Sequence, residues 1–211
     1  MLELSYADSP PKLIAGAPGV DFLNTVEWRG NPSRLAERLT NYVELVIWCS
    51  AAGLLTKVES RQLIAEAQRH VSAARRIWQT AIELREAVVA VLNSSGGRAA
   101  VDRLNRSLGA SRFEHRVECV AEGGLRATTV PIGDALRLPL DRIAQNVVAV
   151  LTADGLERIR SCTNERCGWF FIDASRNHAR RWCQMTTCGN QAKARAHYAR
   201  HRTAKDHGGG A

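Results

Sequence analysis

Four cysteines near the end of the chain constrain its fold more than any other feature of the sequence. They form two pairs, Cys162-x4-Cys167 and Cys183-x4-Cys188, with 15 residues between the pairs. Each pair can supply two thiolates from one tight turn, which is the arrangement of a tetrahedral all-sulfur zinc site. Because four protein ligands close the coordination sphere, we expect one structural Zn²⁺ and not a catalytic ion.

The alternative for these four cysteines is a pair of disulfide bonds. The acidic start MLELSYADSPPK lacks the cationic segment of a secretory signal, and no apolar run reaches the about 18 to 20 residues of a membrane helix. We therefore expect a cytoplasmic protein without a membrane segment, where a reducing environment favours thiolates. The other two cysteines, Cys49 and Cys119, lie in apolar contexts and are predicted to be core residues.

Positive charge is concentrated in the same part of the chain. The 211 residues carry 29 Lys and Arg against 21 Asp and Glu, for a net charge of +8. Residues 158–205 hold 11 of the basic and 2 of the acidic residues, a net +9, whereas the remainder holds 18 and 19 and sums to −1. This partition favours a polyanion such as nucleic acid as the partner of the C-terminal part.

Hydrophobic periodicity divides the preceding residues into helices and one hairpin. Apolar residues at helical spacing predict four helices, which helix-breaking residues end. They cover residues 35–53, 56–92, about 101–108 and 134–152, and the second begins with a capping box at Thr56 and Glu59. Alternation over 113–119, followed by Gly123-Gly124, predicts a β-hairpin. We therefore predict an α+β protein with a mostly helical domain over 1–155, a zinc module over 156–205 and a flexible tail over 206–211.

The cysteine-rich module has few large apolar residues. They are Trp169, Phe170, Phe171, Ile172 and Trp182. A module of this size cannot bury enough surface by itself, so metal binding is expected to supply much of its folding free energy. The N-terminal domain is expected to have a core of its own.

The residues around the cysteines resemble those of a known family. The stretch from Arg160-Ser-Cys162 through Cys167-Gly-Trp-Phe-Phe-Ile-Asp173 to Cys188-Gly189-Asn190 is similar to the CGNR zinc finger over about 45 residues. Where that motif has its arginine this chain has Gln191, so the role of the guanidinium is either absent or taken over by Lys193 or Arg195. The resemblance implies that the four cysteines are the zinc ligands.

The N-terminal part resembles the ABATE domain, which commonly precedes this finger. The similarity lies in Gly19-Val-Asp21-Phe22-Leu23-Asn24-Thr25, in Trp48 with Ala52-Gly53-Leu54-Leu55, and in Leu84-Arg85-Glu86-Ala87. The ABATE domain is described as a stress-induced transcription regulator. Together the two resemblances imply a regulator of transcription.

Basic residues on the zinc scaffold and on the alanine-rich segment after it, which we predict to be helical, are the candidate DNA contacts. Such side chains can meet phosphates, and a guanidinium can pair with guanine in the major groove. The candidates are Arg176, Arg180, Arg181, Lys193, Arg195, Arg200 and Arg202. The alternatives are an RNA- or protein-binding adaptor without sequence-specific DNA recognition, and a solvated cationic tail.

Four residues of the N-terminal domain are candidates for binding an effector. They are Asn24, Trp28, Trp48 and Arg85. These side chains either line an effector pocket or form a buried polar network that holds the first segment against the helices. The sequence has no visible catalytic constellation, so we do not expect an enzyme. The expected partner is duplex DNA, with a small-molecule effector and a second copy of the chain as further candidates.

Overall fold

A computed structural model describes residues 2–6, 8–94, 96–109, 113–119, 124–153 and 156–206. The α-helices in these ranges are α1 (Pro18–Asp21), α2 (Tyr42–Ala51), α3 (Lys57–Arg69), α4 (Val71–Asn93), α5 (Arg98–Leu108), α6 (Leu138–Thr152) and α7 (Asn190–Asp206). The strands are β1 (Leu2–Glu3), β2 (Val26–Glu27), β3 (Ala36–Glu37), β4 (Phe113–Cys119), β5 (Leu125–Pro131), β6 (Ile159–Ser161) and β7 (Phe170–Ile172). The predicted α+β class, with a mostly helical N-terminal domain and a small C-terminal four-cysteine module, is confirmed.

The first predicted helix is wrong in its N-terminal half. Residues 36–37 form β3, which pairs with β1 in parallel and with β2 in antiparallel orientation. Helix α2 begins later because the side chain of Asn41 accepts hydrogen bonds from the backbone N–H groups of Val43 (2.8 Å) and Glu44 (3.1 Å). Leu39 is fully buried, so its apolar spacing reflects burial within a loop and not a helix.

The predicted capping box opens α3 and is confirmed. The Thr56 hydroxyl accepts a hydrogen bond from the Glu59 N–H at 3.2 Å, and the Glu59 carboxylate accepts one from the Thr56 N–H at 2.7 Å. The apolar spacing predicts one continuous helix through residue 92, but the chain leaves the helical conformation at His70 (φ −127°, ψ 52°). The single predicted helix is therefore two helices, α3 and α4.

The predicted hairpin is present, but Cys119 on it is not a core residue. Strands β4 and β5 are antiparallel, with Phe113 opposite Pro131 and Cys119 opposite Leu125, and the predicted turn residue Gly123 lies outside the described residues. Val117 and Cys119 share one face of β4, and both are exposed. The prediction of Cys119 as a core residue is therefore wrong, whereas Cys49 is fully buried as predicted.

The main hydrophobic core extends into the C-terminal module. Phe170 of β7 is 5% exposed and belongs to the same cluster as Phe22, Trp48 and Leu84. Ile172 also packs against this cluster, whereas Phe171 faces the cysteines. The core expected for the N-terminal domain thus also takes in Phe170 of the module, because alternate residues of β7 point to opposite faces and one face packs on that core.

The backbone of the module also comes into close contact with the N-terminal segment. The Ile172 N–H donates a hydrogen bond to the Ala15 carbonyl at 2.8 Å, and Trp169 Nε1 donates one to the Val26 carbonyl at 3.1 Å. Gly168 has φ +69°, and a Cβ there would lie 2.6 Å from the Cβ of Arg29. A side chain at Gly168 would therefore force the two segments apart. Among the described helices, none is long and apolar enough to cross a bilayer.

Candidate metal centre and cationic surface

Two short turns bring the four cysteines together. Cys162 and Cys167 lie in the connection between β6 and β7, where the Cys162 N–H donates to the Trp169 carbonyl at 2.8 Å. Cys183 lies two residues before a π-helical turn, Met185–Gly189, and Cys188 lies within that turn, which leads directly into α7. The Thr163 N–H donates to the Arg181 carbonyl at 2.9 Å and so joins the first turn to the second.

The sulfur positions fit a tetrahedral metal ion. All four Sγ atoms lie within 4.8 Å of one another and all four cysteines are buried. The Cys167–Cys183 and Cys183–Cys188 Sγ distances are 3.7 and 3.6 Å. Four sulfurs about 2.3 Å from a zinc ion would be separated by about 3.8 Å, so the observed distances match that tetrahedron.

The four thiols also influence one another's ionisation. Because the thiols of Cys167 and Cys183 hydrogen-bond to the Cys162 sulfur, they lower the pKa of Cys162, and their own pKa values rise. Adjacent thiolates repel one another, so the cluster cannot carry four negative charges without a cation. A divalent ion favours the thiolate form of all four, which is why soft, all-sulfur sites of this shape bind metal.

Asn164 connects the first cysteine turn to helix α7. This residue is 1% exposed, and its Nδ2 donates to Gln191 Oε1 at 3.1 Å. Its Oδ1 accepts from Arg195 Nη2 at 2.9 Å. Gln191 stands where the CGNR motif has arginine, and Arg195 reaches the same amide from one turn further along the helix. The amide of Asn164 thereby holds the first turn of α7 against the metal centre.

Asp173 organises the loop between the two cysteine pairs. Its carboxylate is fully buried and accepts hydrogen bonds from the Ser175 N–H (3.0 Å) and hydroxyl (2.5 Å) and from the Arg180 N–H (3.0 Å). The Ser175 hydroxyl is the main reason that the pKa of Asp173 lies below its usual range. The loop that carries Arg176 is therefore held at both ends by one ionised carboxylate.

Of the seven predicted DNA-contact residues, four have exposed side chains and two lie on α7 beyond the described side chains. Arg176, Arg181 and Lys193 are exposed, and Arg195 is exposed although it also bonds to Asn164. Arg200 and Arg202 lie on α7, but their side chains lie outside the described residues.

The seventh, Arg180, is bound within the module. Its guanidinium donates to the carbonyls of Trp182 (3.0 Å) and Cys183 and lies 4.4 Å from the centroid of the Phe171 ring. These contacts make Arg180 a support of the metal centre. The guanidinium of Arg180 is therefore occupied within the module.

Comparison with protein-family models identifies both parts of the chain. A model described as "ABATE: Putative stress-induced transcription regulator" matches residues 16–154. The chain belongs to the ABATE family. A second model, described as the CGNR zinc finger, matches residues 158–201 and includes all four cysteines. No curated protein matches the sequence.

A largely buried ionic network lies within the ABATE domain, behind the segment that contacts the finger. Arg85 is 2% exposed and donates to both carboxylate oxygens of Glu37 (2.8 and 2.6 Å), to the Thr25 hydroxyl (2.9 Å) and to Glu86 (2.8 Å). Burial acts to lower the pKa of Arg85, but the hydrogen bonds and charge interactions with Glu37 and Glu86 together outweigh burial, and the net shift is upward. Glu86 also accepts two hydrogen bonds from Arg29, the residue that contacts the finger.

Of the four effector candidates of the ABATE domain, Asn24 and Trp48 line one small cavity, and Trp28 and Arg85 lie elsewhere. Arg85 lies in the buried network, and Asn24 bonds to Phe170 of the finger. Trp48 is buried against Phe22, with ring centroids 5.6 Å apart. Trp28, with an uncommon positive φ of 60°, lines a cleft of about 200 Å³ beside the cysteines. The structure does not assemble these four into one pocket.

Sequence reasoning missed Asn164 and Asp173 as functional positions. Both are polar residues at short spacings from cysteine ligands, and both are buried. A small module has few places where a polar side chain can be buried without a structural partner. Their places close after Cys162 and Cys167 in the sequence could have indicated that these two side chains organise the loops of the module.

Proposed function

We propose that this chain is a DNA-binding transcription regulator whose finger is built around one zinc ion. Cys162, Cys167, Cys183 and Cys188 would hold the ion, and four thiolates would give it a structural role. We further propose that residues 1–155 form a regulatory, effector-sensing domain, that residues 156–205 form the DNA-binding finger, and that the protein acts in the cytoplasm.

The observation that carries this proposal is the attachment of two exposed basic elements to one metal centre. Helix α7 begins two residues after Cys188 and presents Lys193 within its first turn. The loop anchored by Asp173 presents Arg176 and Arg181 between the cysteine pairs. A rigid scaffold with cationic side chains on two elements suits the regularly spaced phosphates of a duplex.

The basic residues would have different roles on this surface. Arg176, Arg181 and Lys193 are exposed and close to the rigid centre, so at least one of them is proposed to reach a base edge. Arg200 and Arg202, further along α7, are proposed to contact phosphates only. Arg195 is proposed to orient α7 through Asn164 and to offer its remaining N–H groups to the duplex.

The test uses the full chain, because the finger shares its core with the ABATE domain. Fluorescence anisotropy would measure binding to a labelled duplex taken from the region upstream of the protein's own gene, over a range of salt concentrations. Replacing Arg176, Arg181 and Lys193 together by alanine should weaken binding and lower the slope of log K against log salt by about 3. The matched control replaces three exposed arginines of α5, Arg98, Arg103 and Arg106, which changes the net charge equally.

The outcome separates the three readings of the cationic surface. Loss of binding in the finger variant with retention in the α5 variant supports the proposal. Equal losses in both variants would show that total charge alone governs binding. Tighter binding to a single-stranded RNA of the same sequence than to the duplex would favour an RNA-binding adaptor instead.

A further inference from the structure

An apolar groove of about 460 Å³ lies on the surface of the ABATE domain. It is formed by the first turn of α2, the C-terminal half of α3 and the first two turns of α4. Its volume lies within the range of about 300 to 1,000 Å³ that is typical of small-molecule sites. The apolar walls include Val43, Ile64, Val71 and Trp78.

The sequence explains why this space is open. Residues 71, 74, 75 and 78 of α4 lie on one face of the helix, and residues 64, 67 and 68 do so on α3. Two of the lining residues, Ala67 and Ala74, have small side chains, which leave space that larger residues would fill. Trp78 Nε1 donates to the Leu39 carbonyl at 2.5 Å, which fixes the indole as one wall.

The groove exposes large apolar side chains to water. Val71 is 66% exposed and Val43 is 37% exposed, and both line it. Exposed apolar surface in a concave site favours an apolar ligand, because binding removes apolar surface of both partners from water. The body of a fitting ligand is therefore a short hydrocarbon chain or a ring.

One cation among the groove residues indicates the polar group of the ligand. Arg75 lines the groove, is exposed, and has no hydrogen-bond or ion-pair partner among the residues that the structure describes. By contrast Arg69, near the end of α3, is paired with Glu66 at 2.7 Å. A guanidinium beside an apolar surface binds a carboxylate through two parallel hydrogen bonds.

A second large cleft gives a useful contrast. It has a volume of about 340 Å³ and is lined by carboxylates, but Glu59 is paired with Arg142 and Asp141 with Arg137. These two carboxylates are thus already paired within the protein. In the groove of α2, α3 and α4, the guanidinium of Arg75 is available to a ligand.

We infer that this groove is a binding site for a small amphipathic carboxylic acid. The apolar body lies between Val71 and Trp78, over Ala67 and Ala74, and the carboxylate pairs with Arg75. Such a ligand would be the effector of the ABATE domain, but its binding does not require DNA. Failure of the proposed DNA binding would therefore leave this inference standing, and the reverse also holds.

Isothermal titration calorimetry of the full chain would test the site with octanoate, octanol and octylamine as probes. Octanoate should bind more tightly than the other two, which share its chain but lack the negative charge. Arg75→Gln should weaken octanoate binding about tenfold and leave octanol binding unchanged. Arg76→Gln is the matched control, because Arg76 is the adjacent exposed arginine and does not line the groove.

A second variant tests the apolar part of the site. Ala67→Met fills the groove without changing charge and should weaken octanoate and octanol alike, with folding checked by circular dichroism. Absence of octanoate binding at millimolar concentration overturns the inference. So do equal affinities for octanoate and octanol, or equal effects of Arg75→Gln and Arg76→Gln, and these comparisons remain decisive even if the Ala67→Met variant fails to fold.

Discussion

The side-chain amide of Asn24 forms two hydrogen bonds with the backbone of Phe170, which lies 146 residues later in the chain. Asn24 Nδ2 donates to the Phe170 carbonyl at 2.9 Å, and the Phe170 N–H donates to Oδ1 at 2.8 Å. On the same edge of β7, the Ile172 N–H bonds to the Ala15 carbonyl. The ABATE domain therefore satisfies the edge of β7 that faces away from β6.

We predict that Asn24→Ala destabilises the whole protein. The change leaves two buried backbone groups of Phe170 without partners, so the free energy of unfolding should fall by about 2 to 4 kcal/mol. Urea denaturation followed by circular dichroism measures this loss. The exposed Asn105→Ala serves as control and should change stability by less than about 0.5 kcal/mol. Similar stabilities of the two variants would contradict the role given to Asn24.

Loss of the metal should affect more than the finger. Purified protein should contain about one zinc ion per chain, and Cys183→Ser should abolish zinc binding. Because Phe170 belongs to the main core, the variant should also unfold the ABATE domain at a lower temperature, although most helical signal should persist at 25 °C. Elemental analysis and thermal circular dichroism measure both effects. Cys119→Ser, at an exposed cysteine, should behave as the unmodified chain.

Asn164 should control the orientation of α7 without binding the metal. Asn164→Ala removes the bonds to Gln191 and Arg195, so the amide protons of the first turn of α7 should exchange faster with solvent while zinc content stays at one per chain. Asn164→Asp keeps an acceptor for Arg195 and should restore part of the protection. Unchanged exchange in the alanine variant would show that the metal turn alone orients the helix.

Glu59 should make stability depend on pH in the acidic range. Hydrogen bonding to Arg142 is the main reason that the pKa of Glu59 falls from 4.5 to about 2. Since the folded-state pKa is the lower one, the stabilisation is present above pH 4.5 and is lost as the pH falls toward 2.

Glu59→Gln tests this pH dependence directly. We expect the variant to lose about 1 kcal/mol at pH 7, and the difference from the unmodified chain should shrink between pH 4.5 and pH 2. Urea denaturation at several pH values measures it, and the exposed Glu83→Gln is the control. A difference that stays constant with pH would rule out the carboxylate as its source.

Local signals in the sequence predicted the features that neighbouring residues determine. The capping box at Thr56, the antiparallel pairing of β4 with β5 and the clustering of the four cysteines depend on short spacings and were correctly predicted. The predicted start of the first helix was wrong, because residues 36–37 pair as β3 with β1 and β2 and are not helical. Tertiary hydrogen bonds overrode local propensity at that point.

The shared core could not be read from periodicity. Phe170, Phe171 and Ile172 form a run of apolar residues without alternation, which indicates a strand with two buried faces but does not say what covers each face. One face packs on apolar residues of the N-terminal part such as Phe22 and Trp48, and the edge of β7 is bonded by a polar residue, Asn24, of the same part. Contacts between residues this far apart in the chain produce no periodic pattern that a single sequence could reveal.

The contact between Ala15 and Ile172 affects how this protein is made. A ribosome adds about 5 to 20 residues per second, so about 8 to 30 seconds separate the synthesis of these two partners. During that interval the part of the core that Phe170 will cover, which includes Phe22 and Trp48, is accessible to other chains or to chaperones. The shared core is therefore completed only after translation of the cysteine-rich segment, and if the proposed zinc ion binds there, its supply at that moment would affect the yield of folded protein.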